Sequence, residues 1–283
     1  VQPLHLPSLL RRFNLQPKKS LGQNFLVEEH ALEKVAAAAE LTPHDTVLEI
    51  GPGLGSLTRH LAQSAARVVA VELDQNLLEP LSYVLEGYEN VEVVHGDILQ
   101  LPPASLNLPA AYKVVANIPY YITSAVIRHL LEAENQPSRV VLTIQKEVAE
   151  RLCAKPPDMN LLAVSVQFYS VPKVVAKISA GAFYPRPEVD SAVVRLEVHG
   201  QPAVNVSSAD EFFRMVKAGF SQKRKQLRNS LSAGLSLPAE QVEAWLTRAN
   251  IDPKRRAETL SLEEWGALTH AKQLALSLPK SEA

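Results

Sequence analysis

The chain has 283 residues, 46% of them hydrophobic and 21% charged, enough apolar material for one large domain and a small one. One cysteine, Cys153, excludes an internal disulfide, and no apolar run reaches the roughly 18 residues of a membrane-spanning helix. With no signal-peptide pattern and no Cys/His spacing of a zinc site, a cytoplasmic, metal-free protein is expected.

Residues 1–16 carry Arg11 and Arg12 without an acid, and read either as a flexible basic arm or as a transit peptide. From there short β-branched runs alternate with helical stretches, the pattern of a parallel sheet covered by helices. Helices are predicted at residues 28–40, 56–64, 75–85 and 123–132, and strands at 46–50, 67–71, 91–94, 113–116 and 139–144. Residues 164–169 fit a further helix or strand, and 174–178 and 192–198 fit added strands near the sheet edge. Residues 199–210, with Gly200 and Pro202, look like a linker, and the pattern from Glu211 to the end is helical throughout.

A net charge of −1 argues against a nucleic-acid partner only as an average. Arg11, Arg12, Lys18 and Lys19 precede any acid, Lys217, Lys223, Arg224, Lys225 and Arg228 form an acid-free run, and Lys254, Arg255 and Arg256 form another. Each run alone also fits a solvated helix face; three of them in a nearly neutral chain fit a binding surface. A helix through Lys223, Arg224, Lys225 and Arg228 would present charge on more than one face, which suits a passing RNA backbone.

The first predicted strand runs into Gly51-Pro52-Gly53-Leu54-Gly55, and the second ends near Glu72. Glycines after a buried strand let the backbone turn tightly beside a ligand, although a plain strand-to-helix turn has the same requirement. A carboxylate about 20 residues further on is where a doubly wound fold holds ribose hydroxyls. The third glycine falls one place early for a dinucleotide fingerprint, and the Lys-Ser/Thr of a phosphate-gripping loop is missing, so a nucleoside without phosphates fits better. Asp97, after the third strand, suits an adenine amino group, with Ile98 covering the ring. These parts in this order suit S-adenosylmethionine.

Asn117-Ile118-Pro119-Tyr120 follows the fourth strand. It also reads as a proline turn with a packed tyrosine. As chemistry, it suits methylation of an exocyclic amine, whose nitrogen lone pair is delocalised into the base. An Asn oxygen and the Ile118 carbonyl would accept its N–H bonds and favour a pyramidal, more reactive nitrogen, while Tyr120 stacks on the base.

Five blocks carry a resemblance: Lys19-Ser20-Leu21-Gly22-Gln23-Asn24-Phe25-Leu26, Glu49-Ile50-Gly51-Pro52-Gly53, Asn117-Ile118-Pro119-Tyr120-Tyr121, Gln145-Lys146-Glu147-Val148, and Ala182-Phe183-Tyr184-Pro185-Arg186-Pro187-Glu188-Val189-Asp190-Ser191-Ala192. Together with Phe220-Ser221-Gln222-Lys223-Arg224-Lys225-Gln226-Leu227-Arg228-Asn229 and Ile251-Asp252-Pro253-Lys254-Arg255-Arg256-Ala257-Glu258-Thr259-Leu260, the chain resembles the ribosomal RNA adenine N6,N6-dimethyltransferases of the KsgA/RsmA type. At Met159-Asn160-Leu161-Leu162 it departs from the family, which commonly has a Tyr-Gly pair there.

The resemblance implies an α/β, Rossmann-like S-adenosylmethionine-dependent methyltransferase domain at residues 19–198 and a small C-terminal helical RNA-binding domain at 199–283; residues 1–18 lie outside it and are expected from their charge to be an N-terminal basic arm. It implies dimethylation of two adjacent adenosines in a hairpin near the 3′ end of small-subunit (16S) ribosomal RNA, on a pre-ribosomal small subunit, by a monomer. Asn24 and Leu26 would lie over the donor, with Gly51 on its amino-acid part, Glu72 on its ribose, Asp97 on its adenine and Asn117 closing the site. Asn117, Tyr120 and Phe183 would act on the target adenine, with Phe183 on the face opposite Tyr120. Arg186, Lys223, Arg224, Lys225 and Arg228 would hold RNA phosphates. Two other readings remain: a large-subunit RNA adenine methyltransferase, which should lack the long helical end, and a non-enzymatic assembly or transcription factor, which should lose part of the Asn117 turn.

Overall fold

The computed structural model describes residues 1–277. The chain opens with α1 (Leu6–Arg12), β1 (Phe25–Leu26), α2 (Glu29–Ala38), β2 (Thr46–Ile50), α3 (Ser56–Ala62), β3 (Arg67–Glu72), α4 (Gln75–Val84) and β4 (Val91–His95). β5 (Lys113–Asn117), α5 (Thr123–Leu131), β6 (Arg139–Gln145), α6 (Lys146–Leu152) and α7 (Leu161–Tyr169) follow, then β7 (Ser170–Ile178), β8 (Phe183–Tyr184) and β9 (Ser191–Val198). The last elements are α8 (Ala209–Phe220), α9 (Leu227–Leu235), α10 (Ala239–Arg248) and α11 (Leu262–Ser277). They sort into two units: Val1–Glu150 with Val171–Val198, and Arg151–Ser170 with His199–Ala283.

The first unit is built on a seven-stranded sheet of order β4-β3-β2-β5-β6-β9-β7. β4, β3, β2, β5 and β6 are parallel, and β9 joins β6 antiparallel, with Arg139 opposite Glu197 and Gln145 opposite Ser191. The central strands are buried on both faces, as Val47, Leu48, Val68, Val69, Val114, Val115, Val140 and Val141 attest, which is why they read as continuous apolar runs rather than as alternation. The chain proceeds outward from β2 through β3 to β4, then returns to place β5 on the other side of β2. That reversal between β2 and β5 is where an open α/β sheet offers a crevice at its strand ends. The α/β, Rossmann-like fold expected from the sequence is the fold observed.

Residues 1–18 are not a loose arm. Leu6 and Leu10 of α1 are buried with Phe25, Leu54 and Leu77 in a small apolar cluster. Arg12 lies over the Tyr83 ring, 4.1 Å from its centroid, and donates to the Tyr83 hydroxyl at 2.7 Å. A short ribbon pairs β1 with β8 antiparallel, Leu26 opposite Phe183, so the beginning of the chain is also hydrogen-bonded to a segment near its middle.

The second unit is helical but not continuous in sequence. Residues 164–169, which fitted a helix or a strand, belong to helix α7, capped by Asn160 Oδ1, which accepts from the Ala163 N–H at 3.0 Å. α7 packs with the C-terminal helices: Phe168 stacks on Phe212 with ring centroids 4.6 Å apart, and both belong to a core shared with Trp245, Trp265 and Leu268. The expected boundary at 198/199 therefore leaves out residues 151–170, of which Met159, Ala163, Val164 and Phe168 share a core with the later helices. Residues 199–210 are not a free linker either: the His199 and Ala203 amides donate to the Tyr169 and Phe168 carbonyls, and Val204 is buried.

Candidate functional site

Four strand ends meet at the reversal. After β2, Gly53 adopts φ +61°, and a Cβ there would stand 2.9 Å from the Phe25 ring, so glycine is required by both backbone and space. At the end of β3, Glu72 is 5% exposed. Its Oε2 accepts from the Gly53 N–H at 3.0 Å and its Oε1 from the Asp74 N–H at 2.8 Å. Burial pushes the Glu72 carboxyl above its ordinary range, against the pull of these amide bonds. After β4, Asp97 accepts from the Leu99 N–H at 3.0 Å. At the end of β5, Asn117 Nδ2 donates to the Asn24 carbonyl at 3.0 Å.

Together these ends line a cleft with about 870 Å³ of space, part of it open to solvent. Asn24, Gly51, Glu72, Asp97, Asn117, Tyr120 and Phe183 all face it. Leu26 does not: its side chain is buried in the core with Phe183 and borders a smaller space beside the glycine loop, while its neighbour Phe25 lines both that space and the cleft. Tyr120 is half-buried, its hydroxyl 2.8 Å from Ser191 Oγ, and Phe183 is almost wholly buried where it meets the cleft.

Sequence reasoning missed several lining residues. Leu21, Gly22 and Gln23 form one wall, Leu73 and Leu77 another, and Tyr121 stands at the mouth, 65% exposed. The signal for the first wall was present, since Gln23 lies in the same block as Asn24. Leu77 is given only by the apolar stripe of α4.

Behind the glycine loop, Glu49 is 1% exposed, and its Oε2 has no hydrogen-bond partner among the described residues. Burial pushes its carboxyl up to about 8, with the nearby Glu72 charge adding to the rise.

The predicted phosphate contacts divide. Arg186 is exposed. Lys223, Arg224 and Lys225 are exposed in the turn between α8 and α9, not on a helix, because Leu227 must enter the core to start α9. Arg228 is held by Glu243 at 2.8 Å. Arg255 is likewise held, by Glu264. No His/Cys/Asp/Glu group among the described residues is arranged to hold a metal ion, and no helix among them is long and apolar enough to cross a membrane.

The cleft suits a nucleoside with an amino-acid tail. Ile50, Val71, Leu73, Leu77 and Ile98 supply apolar walls for a purine, while Glu72 and Asp97 supply acceptors for hydroxyl and amino groups. The glycine loop leaves room for close backbone approach. A family model described as ribosomal RNA adenine dimethylase matches residues 14–273. The ribosomal RNA small subunit methyltransferase A of Dehalococcoides mccartyi is 47% identical over 263 residues, spanning 92% of this chain and 90% of the relative. That of Moorella thermoacetica is 44% identical over 278 residues, spanning 94% and 96%. Among solved structures, the 23S rRNA methyltransferase ErmE superposes with a TM-score of 0.72 at 31% identity, covering 88% of this chain and 100% of that one. A dimethyladenosine transferase from Plasmodium falciparum gives a TM-score of 0.69 at 27% identity, covering 85% and 94%.

Proposed function

The chain belongs to the ribosomal RNA adenine dimethylase family, and from that premise we propose that it dimethylates two adjacent adenosines in a hairpin near the 3′ end of small-subunit RNA, with S-adenosylmethionine as donor. Adenine dimethylation of small-subunit ribosomal RNA is its activity. The substrate form is a pre-ribosomal small subunit, met in the cytoplasm by a monomer. The large-subunit reading is not favoured by relatives named for the small subunit.

The observation that carries the site assignment is the shared cleft: Glu72 and Asp97 on one side of the β2/β5 reversal, Asn117 and Tyr120 on the other. When bound, S-adenosylmethionine supplies an electrophilic methyl group on a charged sulfur. Glu72 holds the ribose hydroxyls, Asp97 the adenine amine, and the apolar walls the ring. Asn117 has its Nδ2 committed to the Asn24 carbonyl, which leaves Oδ1 to accept from the target amine. With the Ile118 carbonyl as second acceptor, the amine is held pyramidal, its lone pair directed into the cleft. Tyr120 stacks on the flipped base and fixes its tilt.

The test is transfer of labelled methyl groups from S-adenosylmethionine to small subunits purified from cells lacking this protein. Dimethyladenosine at two adjacent positions is the expected product. Label on isolated large-subunit RNA, or none, would overturn the assignment.

A further inference from the structure

One wall of the donor cleft is built from residues with little apolar anchorage. Leu21, Gly22, Gln23 and Asn24 line it in succession, yet no residue of the turn Lys19–Leu21 is buried. Polar bonds fasten this end of the wall. Lys18 Nζ lies 2.7 Å from Asp74 Oδ1, and Gln23 Nε2 donates to Asp74 Oδ2 at 2.8 Å. The Lys18 amide closes the ring by donating to Gln23 Oε1 at 2.8 Å. Both oxygens of one carboxylate thus fasten both ends of a short segment.

The same residue reaches the donor site by a second route. The Asp74 N–H donates to Glu72 Oε1 at 2.8 Å, and Glu72 Oε2 in turn holds the Gly53 amide. Asp74 also caps α4, accepting from the Asn76 N–H at 3.1 Å. It is buried to 5% exposure while Lys18 stays partly open to water. Burial alone would raise its carboxyl, but the bonds from Lys18, Gln23 and Asn76 hold it below the ordinary range, so it stays charged.

We propose that Asp74 is a positioning residue for methyl-donor binding, clamping residues 18–24 over the cleft through Lys18 and Gln23 while orienting Glu72 through its backbone. The inference rests on reading the cleft as the S-adenosylmethionine site. Loss of the clamp raises the donor's KM and leaves RNA affinity intact, because Asp74 lies just beyond β3, whose last residue Glu72 is the donor's ribose contact in this reading, and makes its bonds to Lys18, Gln23 and Asn76.

The test compares Lys18→Met, Asp74→Asn and the double variant with the wild type. Asparagine has one carbonyl oxygen, so with that oxygen capping α4 it turns an N–H toward Gln23 and removes the Gln23 acceptor together with the charge, whereas Lys18→Met removes the ion pair alone. S-adenosylmethionine affinity by calorimetry should fall about tenfold in each single variant, the scale of one hydrogen bond to a charged group. The double variant should be no weaker than Asp74→Asn, because both changes break one connection. The KM for S-adenosylmethionine should rise in proportion, with kcat altered less than about twofold, and Lys18→Arg should restore both. Trypsin should cut after Lys19 faster in Lys18→Met than in wild type. Unchanged donor affinity in the folded variants, additive losses in the double variant, or a fall in RNA affinity instead would each overturn the clamp. If Asp74→Asn fails to fold, the partly exposed Lys18→Met carries the comparison. A wild-type protein that binds no S-adenosylmethionine would overturn the donor-site reading itself.

Discussion

Asn117 Nδ2 donates to the backbone carbonyl of Asn24 at 3.0 Å, joining the end of β5 to the N-terminal wall of the cleft. That bond decides which end of the amide faces the target. Asn117→Ala should lower single-turnover methylation by about 10²–10³, on the scale of losing one preorganised polar contact to a transition state. Rapid-quench measurement at saturating donor and small subunit would check it, and a near wild-type rate would remove Asn117 from the chemistry.

Glu72 presents its remaining lone pairs to the cleft while organising the glycine turn through Gly53. Glu72→Ala should weaken S-adenosylmethionine binding by roughly ten- to a hundredfold, from the loss of hydrogen bonds worth about 1.5–3 kcal/mol each. Calorimetry on the folded variant decides it.

Glu49 should make the protein less stable as pH rises. Its folded carboxyl is pushed up to about 8, so the unfolded chain ionises first, and the native state keeps a proton that the unfolded state has lost. The cost is absent below the ordinary carboxylate range and is fully developed above the raised value. Glu72 is displaced in the same direction and adds to it. Chemical denaturation from about pH 5 to about pH 9 should show a loss on the order of a few kcal/mol, because each tenfold difference in proton affinity between the folded and unfolded chain is worth about 1.4 kcal/mol. Glu49→Gln should flatten that dependence; an unchanged slope would mean that Glu49 ionises normally.

Tyr120 separates stacking from hydrogen bonding. Tyr120→Phe removes the bond to Ser191 and keeps the ring, and should retain activity within about fivefold, since one neutral hydrogen bond is worth about 1 kcal/mol. Tyr120→Leu should impair target positioning by about ten- to a hundredfold, because base stacking is worth about 1–3 kcal/mol. Equal defects in both would point to the hydroxyl.

The exposed turn between α8 and α9 should act through charge. Changing Lys223, Arg224 and Lys225 to Gln should flatten the log–log salt dependence of small-subunit binding by about two units, at about 0.7 per phosphate contact on single strands. Arg228→Gln should leave the slope unchanged, because Arg228 is already paired with Glu243. A wild-type slope in the triple variant would make the turn a solvated surface.

The parallel core was legible residue by residue. β2, β3, β5 and β6 are buried on both faces, so their β-branched runs needed no knowledge of what covers them. The glycine turn after β2, Glu72 at the end of β3, Asp97 after β4 and Asn117 at the end of β5 followed from the same reading, since each sits at a strand end where local sequence sets the backbone. Their convergence on one cleft follows from strand order, which places β2 between β3 and β5.

Tertiary structure decided the rest. Residues 164–169 are short and apolar enough for either a helix or a strand, and became α7 because Phe168 finds Phe212 and Phe213 from a distant segment. The start of the chain read as a free arm because its anchors, Leu54 and Leu77 for the apolar side and Asp74 for Lys18, lie far along the chain. Among the basic residues, charge was visible in sequence but availability was not. Arg228 and Arg255 are bound by Glu243 and Glu264, while Lys223, Arg224 and Lys225 stay exposed in a turn. A side chain's type sets what it can bind; only its folded neighbours determine whether it is already bound.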